Sequence, residues 1–236
     1  MALIGYRPIL WHVMKYYAHF GHREFILCLG YKADVIKRYF LDYDEALTND
    51  FILSSGGKNV ELLDRDIEDW SITFVDTGMT TNIGGRLLAV QEYLEGEEIF
   101  LANYADTLTD VDLSGLVEKF QALGSVGSFL CVRPSQSFHL VSADGNNLVQ
   151  SMSDVNHSDV WINGGFFVLR QEIFNYMKSG EELVEQPFQR LIAEKRLTAF
   201  KHDGFWACMD TFKEKQQLED LYTTGRAPWE VFKTDQ

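Results

Sequence analysis

Along this chain, apolar residues alternate between short continuous runs of strand length and stripes with helical spacing. Ile9, Val13 and Tyr17, beside Leu10 and Met14, recur at helical intervals after Tyr6-Arg7-Pro8, and a proline near the first turn suits the opening of a helix. The unbroken run Phe25-Ile26-Leu27-Cys28-Leu29, ending at Gly30, predicts a strand buried on both faces. A second helix is expected over residues 33–46, a strand over 71–76, and a turn at Gly84-Gly85-Arg86 leading into a helix that carries Leu87, Val90 and Leu94. Residues 99–102 read as the next strand. This alternation predicts an α/β fold with a doubly wound, mostly parallel sheet.

Beyond a helix over 113–123 the pattern becomes strand-rich, at 126–133, 148–152 and 160–169, so the sheet is expected to be mixed, with an antiparallel portion. Helices are expected at 171–178, 187–194 and 211–222. The polar run Ser54-Ser55-Gly56-Gly57-Lys58-Asn59 reads as a surface loop.

Composition narrows the class. The chain has 236 residues, of which 46% are apolar, enough for one α/β domain spanning 1–236. A net charge of -14 argues against a broad nucleic-acid footprint and leaves room for a local basic pocket around phosphate. No run approaches the roughly 20 apolar residues of a membrane span, and no basic-then-apolar leader opens the chain, so a cytoplasmic protein without membrane partners is expected. Cys28, Cys131 and Cys208 lack metal-ligand spacing and read as reduced core residues.

Several acids sit where chemistry is plausible. Asp210 lies between the apolar run Gly204-Phe205-Trp206-Ala207-Cys208-Met209 and Thr211, where a helix begins; it suits either a hard cation or a helix cap. Asp106 follows the carboxyl end of the strand at 99–102, where ligands gather in open α/β sheets, and it too can hold a cation or cap a loop. Asp110-Val111-Asp112 superficially resembles the metal-binding acid pair of nucleotide-sugar glycosyltransferases, whereas Asp112 just before residue 113 also fits a helix N-cap. Arg86, after two glycines, offers a planar cation for phosphate. In Trp161-Ile162-Asn163-Gly164-Gly165-Phe166-Phe167 the glycines interrupt a strand, which implies either a ligand approaching closely or a β-bulge.

Taken in order, Arg7-Pro8-Ile9-Leu10-Trp11-His12, Cys28-Leu29-Gly30-Tyr31-Lys32, Asp76-Thr77-Gly78, Gly84-Gly85-Arg86-Leu87, Trp161 through Phe167, His202 through Trp206, Met209-Asp210-Thr211 and Ala227-Pro228-Trp229 resemble the blocks of the glucose-1-phosphate cytidylyltransferase family. The resemblance covers nearly the whole chain. It implies a Rossmann-like nucleotide-diphospho-sugar transferase fold, CTP or another nucleoside triphosphate and a sugar 1-phosphate as substrates, Mg²⁺ as cofactor and a homo-oligomer. It further implies Asp106 and Asp210 as Mg²⁺ ligands, Thr81, Gly85, Arg86 and Ala105 at the nucleotide, with Arg86 catalytic, and Asn163 with Gly164 at the sugar.

Three departures accompany the resemblance. The family's glycine-rich loop, its following arginine and a lysine would precede Met1, which leads to the expectation that upstream in-frame DNA encodes them. Asp154-Val155-Asn156 stands where the family has Glu-Lys-Pro, removing a cation for the sugar phosphate. Ala105 replaces a glycine before the metal aspartate. A noncatalytic nucleotide-sugar binding subunit, or a glycosyltransferase, is the alternative reading.

Overall fold

The computed structural model describes residues 1–134 and 138–233. Its elements run in order as β1 (Leu3–Ile4), β2 (Arg7–Pro8), α1 (Ile9–His19), β3 (Glu24–Leu29), α2 (Ala33–Leu41), β4 (Phe51–Ser54), β5 (Asn59–Leu62), β6 (Ser71–Asp76), α3 (Ile83–Ala89) and β7 (Ile99–Ala102). They continue as β8 (Thr107–Thr109), α4 (Leu113–Leu123), β9 (Gly127–Val132), β10 (His139–Ala143), β11 (Val149–Asp154), β12 (Ile162–Asn163), β13 (Phe167–Arg170), α5 (Gln186–Ala193), β14 (Leu197–His202), β15 (Trp206–Cys208) and α6 (Phe212–Thr223).

The central layer is a mixed sheet in two pieces. β3 and β6 pair in parallel, with Glu24 opposite Ser71 and Leu29 opposite Asp76. In the larger piece β7, β13, β9 and β12 are antiparallel neighbours, and β14 runs parallel to β9 along its other edge. Helices cover both faces. Ile9, Val13 and Tyr16 of α1, Leu113, Leu116 and Phe120 of α4, and Leu218 of α6 form one apolar cluster, onto which Phe25 of β3 and Ile99 and Leu101 of β7 pack. Leu87 of α3 with Phe188 and Leu191 of α5 belong to the opposite cluster, which receives Ile26 of β3 and Ala102 of β7. Since successive strand residues point to opposite faces, β3 and β7 lie in one layer between the same two cores.

That layer is interrupted. Among the described residues β3 pairs only with β6, and β7 only with β13. The expectation of a β3 strand buried on both faces is corrected accordingly: Phe25, Ile26, Leu27 and Cys28 are half-buried, and only Leu29 is buried. Cys28 is likewise half-buried, whereas Cys131 and Cys208 are core residues as expected.

Other differences have local causes. The helix expected over 33–46 ends at Leu41, and Asp44 accepts a hydrogen bond from the Ala46 amide to start a separate 3-10 turn, Glu45–Leu47. The polar run at 54–59 is the turn of a β4–β5 hairpin, with Ser55, Gly56 and Gly57 in left-handed conformations. Gly84-Gly85-Arg86 lies inside α3 rather than before it, because Asn82 caps the helix through the Gly85 amide at 2.9 Å. A side chain at Gly84 would stand 2.3 Å from the Glu181 carbonyl, so glycine lets α3 dock there. Pro8 is the N-cap of α1, with Ile9 its first helical residue.

Two hairpins project uncovered apolar faces. In β4–β5 the cross-strand pairs Phe51 with Leu62 and Leu53 with Val60 share one face, and Phe51, Leu53 and Val60 are exposed. In β10–β11, Val141 pairs with Met152 and Ala143 with Val149, and these are exposed too. No helix among the described residues is long and apolar enough to cross a membrane.

Candidate active site

A short ladder brings the two acids together. β15 pairs antiparallel with β8, Cys208 opposite Thr107, and the Met209 amide donates to the Asp106 carbonyl at 3.0 Å. Burial, followed by the negative charge of Asp210, pushes the Asp106 carboxyl above the usual carboxylate range. Two facing carboxylates of this kind raise the cost of each other's ionisation, and their hard oxygens are the donor type that Mg²⁺ takes.

The two jobs open to Asp210 separate here. Thr211 is the N-cap of α6: its hydroxyl accepts from the Glu214 amide at 3.2 Å, while Glu214 accepts from the Asp210 and Thr211 amides at 3.0 and 2.9 Å. Capping belongs to Thr211 and Glu214, leaving the Asp210 carboxylate outside that network. Ligand atoms of Cys208, Asp210 and Glu214 lie within 4.8 Å of one another, a grouping the sequence reading missed. Burial and the charges of Glu214 and Asp210 push the Cys208 thiol up to about 12.

Asp110 is committed elsewhere. Its Oδ1 accepts from His202 Nε2 at 2.7 Å and from the Phe205 amide at 2.8 Å, tying β8 to the turn before β15. Asp112 occupies the N-cap position of α4 without a side-chain capping bond. Neither belongs to a grouping of three metal-ligating side chains among the described residues. A cavity of about 670 Å³ behind the ladder touches His202, Trp206, Cys208 and Glu214 but neither Asp106 nor Asp210.

A bulge builds the neighbouring wall. The register of β12 and β13 against β9 slips across Gly164-Gly165-Phe166, so this strand carries more residues than β9 opposite it. Gly165 and Phe166 both take left-handed φ, 77° and 49°, and the Phe166 amide is held by Asn103 Oδ1 at 3.1 Å. The bulge directs Asn163 toward β7: its Nδ2 donates to the Tyr104 hydroxyl at 3.1 Å and its Oδ1 accepts from the Gly165 amide at 2.9 Å. Gly164 is enclosed, its amide donating to Leu130 and its carbonyl accepting from the Trp206 indole at 2.8 Å. Ala105 is exposed in the turn between Tyr104 and Asp106.

Thr81, Gly85 and Arg86 gather separately, at the carboxyl ends of β3 and β6. Arg86 Nη1 donates to the Cys28 carbonyl at 3.2 Å and to the Thr77 hydroxyl at 2.7 Å. The neighbouring Leu29 carbonyl serves Thr77 on the β6 side, so the alternation of strand carbonyls points that of Cys28 to the unpaired edge. A side chain on Gly30 would stand 2.6 Å from Arg86 Nη2 and 2.7 Å from the Gly78 carbonyl, which requires glycine for this close approach. No hydrogen bond or ion pair joins Arg86 to Asp106 or Asp210 among the described residues.

The structure thus places Asn163, Ala105 and Asp106 beside Tyr104, with Asp210 acting on Asp106 and Gly164 next to Asn163, and Thr81, Gly85 and Arg86 as a second group. Asn103 and Tyr104 escaped the sequence reading, although their place directly after β7 is the signal that could have found them.

No family model matches the chain. The probable glucose-1-phosphate cytidylyltransferase of Bacillus subtilis (strain 168) is 37% identical over 234 residues, 98% of this chain and 91% of that protein. The glucose-1-phosphate cytidylyltransferase of Salmonella typhi is 35% identical over 233 residues, covering 98% of this chain and 90% of its own. Among solved structures, a UDP-glucose pyrophosphorylase complexed with UDP-glucose superposes with TM-score 0.66 at 15% identity, covering 96% of this chain and 90% of its own. HddC from Yersinia pseudotuberculosis superposes with TM-score 0.63 at 19% identity, over 94% and 88%. At these identities the solved structures establish a shared fold.

Proposed function

Because the chain belongs to the glucose-1-phosphate cytidylyltransferase family, we propose that it transfers a cytidylyl group from CTP to glucose 1-phosphate, giving CDP-glucose and pyrophosphate. An oxygen of the sugar phosphate attacks the α-phosphorus, the bond from that phosphorus to its bridging oxygen breaks, and pyrophosphate leaves with the bonding electrons. The reaction asks for alignment and for relief of negative charge, not for a protein nucleophile.

The observation that carries this reading is the Asp106–Asp210 pair, two carboxylates held together beyond the carboxyl end of β7 with no protein cation on either among the described residues. Mg²⁺ held by Asp106 and Asp210 would offset triphosphate charge during transfer. Arg86, whose Nη2 carries no hydrogen bond among the described residues, keeps N–H groups for a nucleotide phosphate, beside Thr81 and Gly85. Asn163 retains one Nδ2 hydrogen for a sugar hydroxyl after serving Tyr104. Gly164 shapes that wall by letting Trp206 close on its carbonyl, and exposed Ala105 faces the nucleotide.

The exposed hairpin faces of β4–β5 and β10–β11 support a homo-oligomer, since an isolated two-stranded hairpin is marginal in water. Free cysteines and a nucleoside triphosphate substrate fit the cytoplasm.

Pyrophosphate release with CTP, glucose 1-phosphate and Mg²⁺ tests the reading; release that depends on all three is expected. A noncatalytic nucleotide-sugar binding subunit is favoured by Val155, which stands at the family's lysine in a 3-10 turn capped by Asp154. CDP-glucose binding without any pyrophosphate release would select it.

A further inference from the structure

A sugar 1-phosphate brings a near-dianion into a chain of net charge -14, next to Asp106 and Asp210, so its binding needs a local cation. The sheet ladder shows where one stands. Cys131 of β9 is paired with Asn163 of β12 on one side and with Lys201 of β14 on the other. Paired residues project to the same face of a sheet, so Asn163, Cys131 and Lys201 form a row across it, with Trp161 and Arg133 two residues further along their strands on that face.

Two cations meet the Trp161 ring. The Arg133 guanidinium lies 4.5 Å and the Lys201 ammonium 4.7 Å from its centroid. They differ in what else they touch. Arg133 is neutralised by Asp203 at 3.2 Å and also donates to the Ser158 carbonyl. Lys201 is exposed and meets no carboxylate among the described residues; its charge is felt at Cys131, where it opposes the upward pull of burial on the thiol. An indole face steers an ammonium without satisfying its three donors. We infer that Lys201, positioned by Trp161, is the seat of the acceptor phosphate. This rests on the transferase reading for the identity of the ligand, and its test does not require turnover.

Isothermal titration of glucose 1-phosphate and of glucose, at low ionic strength, into the chain and its Lys201→Met and Lys201→Arg variants reads the phosphate seat directly. The expected result is tighter binding of glucose 1-phosphate than of glucose, a loss of about tenfold in Lys201→Met for the phosphate ligand alone, and recovery in Lys201→Arg. Equal affinity of Lys201→Met and the unaltered chain for glucose 1-phosphate, or an unaltered chain that prefers neither ligand, overturns the inference. In pyrophosphate release, Lys201→Met should raise the KM for glucose 1-phosphate about tenfold and leave that for CTP unchanged. Phosphate binding through Lys201 without pyrophosphate release would keep this inference and remove the transferase reading; turnover unaffected by Lys201→Met would do the reverse.

Discussion

β3 and β9 carry almost the same apolar pattern, Phe25-Ile26-Leu27-Cys28-Leu29 against Phe129-Leu130-Cys131-Val132, and fare differently. β9 is flanked by β12 and β13 on one edge and by β14 on the other, and all but one of its residues are buried. β3 has β6 alone, and four of those five apolar residues are half-buried. A strand's composition limits what it can bury, and its neighbours decide how much of that is realised. The contrast carries over to the site: Asn163 lies in the complete piece, to which the β8–β15 ladder of Asp106 and Asp210 is tied through Trp206 and Gly164, and Arg86 is held by the incomplete one.

The largest expected effect tests the anchored acids. Asp106→Asn should lower pyrophosphate release about a thousandfold, roughly 4 kcal/mol, while raising the melting temperature by about 2 °C, because it removes a costly carboxylate beside Asp210. Added Mg²⁺ should stabilise the unaltered chain and not this variant. A variant that keeps its activity would detach the acids from the chemistry.

Next come paired core deletions, followed by urea unfolding. Leu130→Ala, at a fully buried position of β9, should cost about 3–4 kcal/mol, and Ile26→Ala on half-buried β3 only about 1 kcal/mol. Equal costs would mean that the two strands are equally well packed.

His12 supplies a pH test of the α1 side of the complete core. It is fully buried, its Nε2 donating to the Ile4 carbonyl and its Nδ1 accepting from the Trp229 indole, and burial lowers its pKa to about 4. The unfolded chain, with histidine near 6.5, binds more protons between these values. Its contribution to stability is therefore full above pH 6.5 and lost as pH falls toward 4, by roughly 3 kcal/mol. In His12→Gln the unfolding free energy should be lower at pH 7 and should decline less between pH 6.5 and 4 than in the unaltered chain.

The smallest effect belongs to the open edge. Arg86→Ala removes its hydrogen bonds to the Cys28 carbonyl of β3 and to the Thr77 hydroxyl just past β6, about 2 kcal/mol together, and amide exchange should quicken in β3 and β6 while β9 keeps its protection. Faster exchange in β9 as well would show that the two pieces unfold together.

Much of the layer order was legible because strands 71–76 and 99–102 and helix 113–123 are bounded by clear changes of period. What stayed hidden depends on partners distant in the chain. Leu53 and Val60 give no sign of pairing until Ser55-Gly56-Gly57 is recognised as a turn, and Gly84-Gly85 looks like a loop until Glu181 is seen against it. The acids were visible as candidates, but the division of labour between Asp210 and Thr211 depends on where the Glu214 carboxylate turns. Lys201 was invisible for the same reason, since its row with Asn163 exists only through β9.

Arg86 on the Cys28 carbonyl has a further consequence, for solubility. An unpaired strand edge is a template for another chain's strand, and a charge set across it discourages that pairing. A guanidinium set across that edge of β3 works against such pairing, so loss of the Arg86 side chain should favour self-association of the chain at high concentration.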